Sequence, residues 1–304
     1  MHDLRIIFMG TPEFAVPSLE ILVENRYNVV AVVTAPDKPQ GRGQKTDSSP
    51  VKVCALKHNI PVLQPTNLKS PDFIETLSAL QANLQIVVAF RMLPEVVWAM
   101  PSLGTFNLHG SLLPQYRGAA PIHWAVMNGE KETGVTTFFL KHEIDTGSIL
   151  FQEREPIHDD DTVGTVYERL MLIGSRLVLK TVKAIESGVV QASPQSEDLV
   201  LRHAPKIFRE TCEITWDRPA QDIRNFVRGL NPFPVAWTKL HDKTYKVLRV
   251  EAQAGGSGVP GEIDTDEKTY LRVRAADGWV LLQELQPEGK RKMNVQEFFR
   301  GNKL

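Results

Sequence analysis

Leu84-Gln85-Ile86-Val87-Val88-Ala89 holds one polar side chain in a run otherwise apolar on both parities. A run this short and continuous reads as a strand covered on both of its faces, the form a parallel sheet takes beneath helices. Working outward, Arg5 to Met9 and Asn28 to Thr34 repeat the pattern, with a helical stretch from Pro17 to Glu24 between them. Gly104 to His109 and Val135 to Leu140 read as later strands. A long helix is expected from Thr162 to Glu186, where Val163, Val166, Leu170, Ile173, Leu177, Thr181 and Ala184 recur at three- and four-residue spacing. Strands alternating with helices predict an α/β fold with a mostly parallel sheet.

After residue 186 the pattern changes. Ser187 to Ala204 holds Gly188, Pro194 and the polar run Gln195-Ser196-Glu197-Asp198, which reads as a linker. Cys212 to Trp216, Ala236 to Leu240, Tyr245 to Glu251, Tyr270 to Ala275 and Trp279 to Leu285 are strand candidates separated by turn residues. One amphipathic helix carries Ile223, Phe226, Val227 and Leu230 on a single face. Short strands at this density suggest a small OB-like β-barrel. The predicted organisation is therefore 1–186, a linker at 187–204, and 205–304. A chain of 304 residues is long enough for two such domains.

Charge narrows the classes of partner. Formal net charge is −1, which excludes coating of nucleic acid by bulk charge. The sum is uneven, however. Residues 206–304 carry 17 Lys and Arg against 14 Asp and Glu, leaving 18 against 22 for the rest. Pro36 to Pro50 contains no residue of the apolar set but includes Lys38, Arg42 and Lys45 among glycines and prolines. Such a segment is either a solvated loop or one that orders on an anionic partner. The longest apolar runs are too short for a bilayer. The start of the chain lacks a signal-peptide pattern, and two cysteines form neither a disulfide framework nor a zinc site. The expected compartment is the cytoplasm.

Common motifs are missing. Gly10 follows the first strand without the remaining glycines of a dinucleotide fingerprint, and no phosphate-binding P-loop, G-x-S-x-G elbow or H-E-x-x-H pair occurs. Chemistry concentrates instead in Asn107 to Pro121. Asn107 and His109 stand two apart on a strand and so share a face. At the carboxyl end of a sheet strand they border the usual ligand crevice. An amide donor beside an imidazole suits a reaction in which charge grows on a carbonyl oxygen while a proton moves. A polar pair closing a strand has the same spacing. Asp145 either orients the imidazole or serves as a turn residue.

The run Asn107-x-His109 followed by Ser111-Leu112-Leu113-Pro114-x-Tyr116-Arg117-Gly118, with Asp145-Thr146-Gly147 downstream, resembles the folate-dependent formyltransferases. Phe8 to Ala15, Pro36 to Gly43, Ser49 to Lys52, Gly118 to Ile122 and Asn231 to Trp237 resemble the branch of that family acting on charged initiator tRNA. The resemblance implies a Rossmann-like catalytic domain, and 10-formyltetrahydrofolate as co-substrate with no metal. It implies initiator methionyl-tRNA as partner of a monomeric enzyme. By the same resemblance Asn107, His109 and Asp145 are catalytic, and Ser111, Leu112, Leu113 and Pro114 lie against the folate. Gly41, Arg42, Gly43 and Lys45 are expected to meet the tRNA. The chain departs from the family pattern at Phe90-Arg91, at Glu143 and at Gly110.

Overall fold

The computed structural model describes residues 3–40, 45–196 and 200–304. The chain divides into two compact units. The first comprises Met1–Arg117, Gly134–Glu155 and Tyr167–Arg202; the second comprises Gly118–Thr133, Pro156–Val166 and His203–Leu304.

In chain order the first unit contributes β1 (Arg5–Gly10), α1 (Val16–Glu24), β2 (Asn28–Val33), α2 (Pro50–Lys57), β3 (Val62–Leu63) and α3 (Pro71–Ala79). β4 (Leu84–Val88) and β5 (Thr105–His109) follow. α4 (Pro121–Met127) belongs to the second unit. β6 (Glu132–Phe139), β7 (Ile149–Pro156) and the long α5 (Val163–Ser187) come next. Their sheet runs β7-β6-β5-β4-β1-β2-β3. Strands β3, β2, β1, β4 and β5 are mutually parallel, and β6 lies antiparallel to β5.

Local chemistry accounts for the helix starts. Pro50 and Pro71 each occupy the first turn of a helix, where a missing N–H costs nothing. The Ser49 hydroxyl caps α2 by accepting from the Lys52 amide at 3.1 Å. Every residue of β4 is buried, as its composition requires. On one face of the sheet Ile7, Met9, Val33 and Val87 pack with Phe73 and Leu77 of α3. On the other, α5 approaches so closely that a Cβ at Gly174 would stand 2.7 Å from Leu108. Thr181 of α5 shares a 2.9 Å hydrogen bond with Thr137 of β6 on that same side. Leu108 therefore faces α5, and alternation turns Asn107 and His109 to the opposite face.

β7 was not legible in the sequence. It is an edge strand whose middle, Gln152-Glu153-Arg154-Glu155, is polar or charged, as edges that resist further pairing are.

The second unit holds α6 (Ala220–Leu230) and an antiparallel sheet. Its strands are β8 (Ala236–Leu240), β9 (Lys243–Ala254), β10 (Ile263–Thr265), β11 (Leu271–Arg274), β12 (Gly278–Pro287) and β13 (Met293–Asn294). They run β8-β9-β12-β11-β10, with β13 on β12. Helix α7 (Val295–Gly301) opens on a full capping box between Asn294 and Glu297. The core gathers Ile223, Val227 and Leu230 of α6 with Tyr245, Val247, Leu282 and Phe298.

Cys212 to Trp216 is not a strand. Glu210–Cys212 is a short 3-10 turn, and Glu213 makes a single bridge to Trp237. The Thr211 hydroxyl and the Cys212 thiol both donate to the Phe208 carbonyl, at 2.7 and 3.2 Å, and these local bonds displace strand pairing.

The units interleave along the chain. A Cβ on Gly229 of α6 would meet Met127 of α4 at 2.4 Å, so residues 118–133 pack with the C-terminal part. The 188–202 stretch stays with the first unit, through reciprocal backbone hydrogen bonds between Ile149 and Ser193.

Candidate active site

Asn107 and His109 close β5 at its carboxyl end, paired with Phe138 and Thr136 of β6. The Asn107 carboxamide is partly exposed and has no hydrogen-bond partner among the described residues. An amide in this position can donate to a group that enters the end of the strand.

His109 is buried. One ring nitrogen, Nε2, lies 2.9 Å from the carbonyl oxygen of Tyr116. A carbonyl only accepts, so Nε2 carries the hydrogen and Nδ1 is the nitrogen left for chemistry. Nδ1 faces Asp145 Oδ2 at 3.9 Å, with side-chain exposures of 7% and 11% for the two residues. That separation exceeds a direct hydrogen bond and suits a small closure on ligand binding. The Phe138 ring lies nearly perpendicular to the imidazole, at 80°, with the centroids 6.4 Å apart.

The Asp145 loop lies between β6 and β7 and needs two unusual backbone positions. Asp145 takes φ = +57°, a conformation that short polar side chains tolerate. At Gly147 a Cβ would fall 1.5 Å from the Phe139 carbonyl oxygen, so only glycine lets the loop pass.

Sequence reasoning missed what holds this loop. Gln195 is 9% exposed. Its Nε2 donates to the carbonyls of Asp145 and Gly147 at 2.7 and 2.9 Å, while its Oε1 accepts from Arg117 Nε and Nη2 at 3.0 and 2.6 Å. Both donor and both acceptor positions of the amide are filled. Read locally, Gln195 is one polar residue in a linker, and nothing near it in sequence sets it apart from Gln191. Gln195→Glu keeps the acceptor for Arg117 but removes both donors and sets a carboxylate against two carbonyls. The expected result is a kcat about tenfold lower with each KM changed less than threefold, on the order of one charge-weighted hydrogen-bond loss. Steady-state kinetics together with a melting curve check it.

The Ser111 to Pro114 loop is pinned to β6 and β7. The Thr136 hydroxyl donates to the Ser111 carbonyl at 2.7 Å and accepts from the Leu113 amide at 3.2 Å. Gln152 Nε2 donates to the Leu113 carbonyl at 2.9 Å. Ser111 and Leu113 are buried, and the Ser111 hydroxyl is spent on the Gln115 carbonyl at 2.7 Å. Leu112 and Pro114 are half-buried.

Arg91 donates to the backbone carbonyls of Pro65 and Thr66, so this departure from the family pattern is anchored on a neighbouring loop. At the base of the 36–50 segment, Lys52 Nζ meets Asp37 Oδ2 at 2.5 Å, and Gln64 Nε2 donates to Asp37 Oδ1 at 2.8 Å. The Lys52 and Gln64 bonds hold the Asp37 carboxyl below the usual carboxylate range. Short strands Lys38–Gln40 and Lys45–Asp47 pair antiparallel beyond it. Gly41, Arg42 and Gly43 lie outside the described residues, as does the side chain of Lys45.

A profile described as "Formyl transferase" matches residues 4–182, and one described as "Formyl transferase, C-terminal domain" matches residues 206–303. The chain belongs to the formyl transferase family. Among its family relatives, a methionyl-tRNA formyltransferase of Bacteroides fragilis is 54% identical over 99% of this chain and 95% of the relative. One from Phocaeicola vulgatus is 56% identical over 98% and 96%. Among solved formyl transferase structures, the sugar 3N-formyl transferase WlaRD, crystallised with dTDP and 5-N-formyl-THF, superposes with a TM-score of 0.69 at 21% identity. That match covers 96% of this chain and all of WlaRD. HypX from Aquifex aeolicus in complex with tetrahydrofolic acid gives 0.66 at 19%, over 99% of this chain and 48% of HypX. At those identities the two structures speak for the fold.

Proposed function

We infer that the chain transfers the formyl group of 10-formyltetrahydrofolate to the α-amino group of methionine on initiator methionyl-tRNA. The observation that carries this reading is identity above 50% with methionyl-tRNA formyltransferases across almost the whole of both chains.

The local chemistry agrees with it. The formyl folate is a substrate consumed at each turnover, and the residues at the end of β5 suit it. They offer an unengaged amide donor, a buried imidazole facing a carboxylate, and apolar surface on Leu112 and Pro114. The α-ammonium must first lose a proton, and Asp145 is the group assigned to assist. Attack of the resulting amine on the formyl carbon forms the new C–N bond and moves an electron pair onto the formyl oxygen. The Asn107 amide, free of other partners, donates to that oxygen as its charge grows. As the new bond forms, His109 takes a proton from the attacking nitrogen, and it delivers that proton to the folate nitrogen when the old C–N bond breaks. With Nε2 committed to Tyr116, the proton passes through Nδ1, and Asp145 stabilises the imidazolium between the steps.

In this reading residues 1–186 carry out the chemistry, residues 205–304 hold the tRNA, and 187–204 joins them. The enzyme is assigned as a cytoplasmic monomer, and Ser111 to Pro114 as the folate wall. Gly41, Arg42, Gly43 and Lys45 are proposed to contact phosphates of the acceptor end, a role for which an Arg fork is suited. Arg42→Ala is expected to raise KM for charged tRNA by about tenfold, the order of one lost charged contact, while KM for the formyl folate stays within twofold. Equal rises in both would count against that placement.

The acceptor is tested by offering the purified protein formyl folate with charged initiator tRNA, with a nucleotide-linked amino sugar, or with water alone. Product N-formylmethionyl-tRNA supports the reading. Preferential formylation of the sugar, or formate release alone, would replace it.

A further inference from the structure

The second unit carries a cleft of about 760 Å³ whose chemistry differs from an ordinary surface groove. Phe208 and Phe233 stand on its rim, 54% and 76% exposed. Trp237 of β8 and Lys246 of β9 are cross-strand partners on the same wall, and Lys206 and Arg209 complete it. No carboxylate lines the cleft, and none of these three cations forms an ion pair with a described residue. Two of them lie over aromatic rings instead. Lys206 Nζ lies 5.3 Å from the Phe208 centroid and the Arg209 guanidinium 6.0 Å from that of Trp237.

The arrangement is built in advance. Trp237 Nε1 donates to the Arg209 carbonyl at 2.8 Å, and Trp124 Nε1 to the Pro205 carbonyl at 2.8 Å. His123 Nε2 donates to the Phe233 carbonyl at 3.2 Å and so fixes the backbone under the most exposed ring. Burial pushes the His123 imidazole below its ordinary pKa, so it serves as an uncharged donor.

A second cleft of the unit gives a contrast. There Arg224 and Arg228 stand beside Asp159, Asp160 and Glu251. Arg224 is bound to Asp159, and Arg228 donates to the His158 and Asp161 carbonyls at 3.0 and 3.1 Å. That cleft is balanced in charge, with Arg224 Nη1 buried and without a partner among the described residues.

Exposed aromatic faces beside uncompensated cations are what an unpaired nucleotide requires. The base stacks on the rings, and its flanking phosphates meet the ammonium and guanidinium groups. We propose that the cleft bounded by Phe208, Phe233 and Trp237 holds an unpaired nucleotide of the tRNA, with Lys206, Arg209 and Lys246 on its phosphates. This deepens the proposed function and rests on it for the identity of the RNA.

The test measures equilibrium binding of uncharged tRNA to the full-length wild type, Phe233→Ala and Phe233→Trp, with formylation followed in parallel. Phe233 is exposed, so melting curves of the variants should match wild type. Phe233→Ala is expected to weaken binding about tenfold and Phe233→Trp to restore it, since stacking needs a ring. Binding by Phe233→Ala within twofold of wild type, or Phe233→Trp as weak as alanine, would overturn the proposal. A wild type that binds tRNA through Phe233 but transfers no formyl group keeps the cleft and overturns the proposed function. Transfer with Phe233-independent binding does the reverse.

Discussion

Asn107→Ala lowers kcat by about 10²- to 10³-fold, the range seen when one oxyanion donor is removed. The size of the effect follows from the setting. The carboxamide sits at the end of a strand paired on both sides, in register with Val87 and Phe138, so its position is fixed before substrate arrives. It has no competing bond among the described residues to break. Its whole contribution is therefore available as charge develops, and little is spent on the ground state. KM for the formyl folate should move much less than kcat. Because the side chain is partly exposed and unpaired, its loss leaves no buried polar group stranded, and the melting temperature should stay near wild type. Near-wild-type kcat with intact folding would remove Asn107 from the mechanism.

His109 is the second large effect. General acid–base groups contribute about 10²- to 10⁴-fold, and His109→Ala is expected to fall in that range. This variant also removes the His109 Nε2 donor to the Tyr116 carbonyl. His109→Gln is therefore the cleaner probe, since its amide offers a donor for Tyr116 and no proton shuttle. Its kcat should be as low as that of His109→Ala. The pairing with Asp145 makes a further demand: the two side chains act as a unit, so a double variant at His109 and Asp145 should be little worse than His109→Ala alone. Multiplicative losses would mean that Asp145 works independently of the imidazole.

Much of this was legible in the sequence because it rested on repetition or on continuous motifs. β1 and β4 are apolar runs buried on both faces, and α5 announces itself by seven apolar or small residues at helical spacing. Asn107 and His109 sit two apart, and alternation alone puts them on one face. Contacts between distant segments carried no such signal. Gln195 lies 48 residues from Gly147 and 78 from Arg117, and only folding brings its amide to both. Thr136 looks like any buried strand threonine until its hydroxyl is found holding the Ser111 loop. The second unit gives a related case. Arg228 falls among the apolar positions of α6, and its role depends on carbonyls that α6 does not supply. The aromatic cleft is likewise assembled from α4, the stretch before α6, the turn after it and the β8–β9 hairpin, none basic or aromatic enough alone to mark it.

The most direct measurement follows labelled formyl from 10-formyltetrahydrofolate in a single turnover with charged initiator tRNA. The account predicts that label appears on the methionine amine of the tRNA with wild type, and that Asn107→Ala slows the appearance at least a hundredfold without weakening tRNA binding. Label released only as formate, or carried to the tRNA by Asn107→Ala at the wild-type rate, would contradict it.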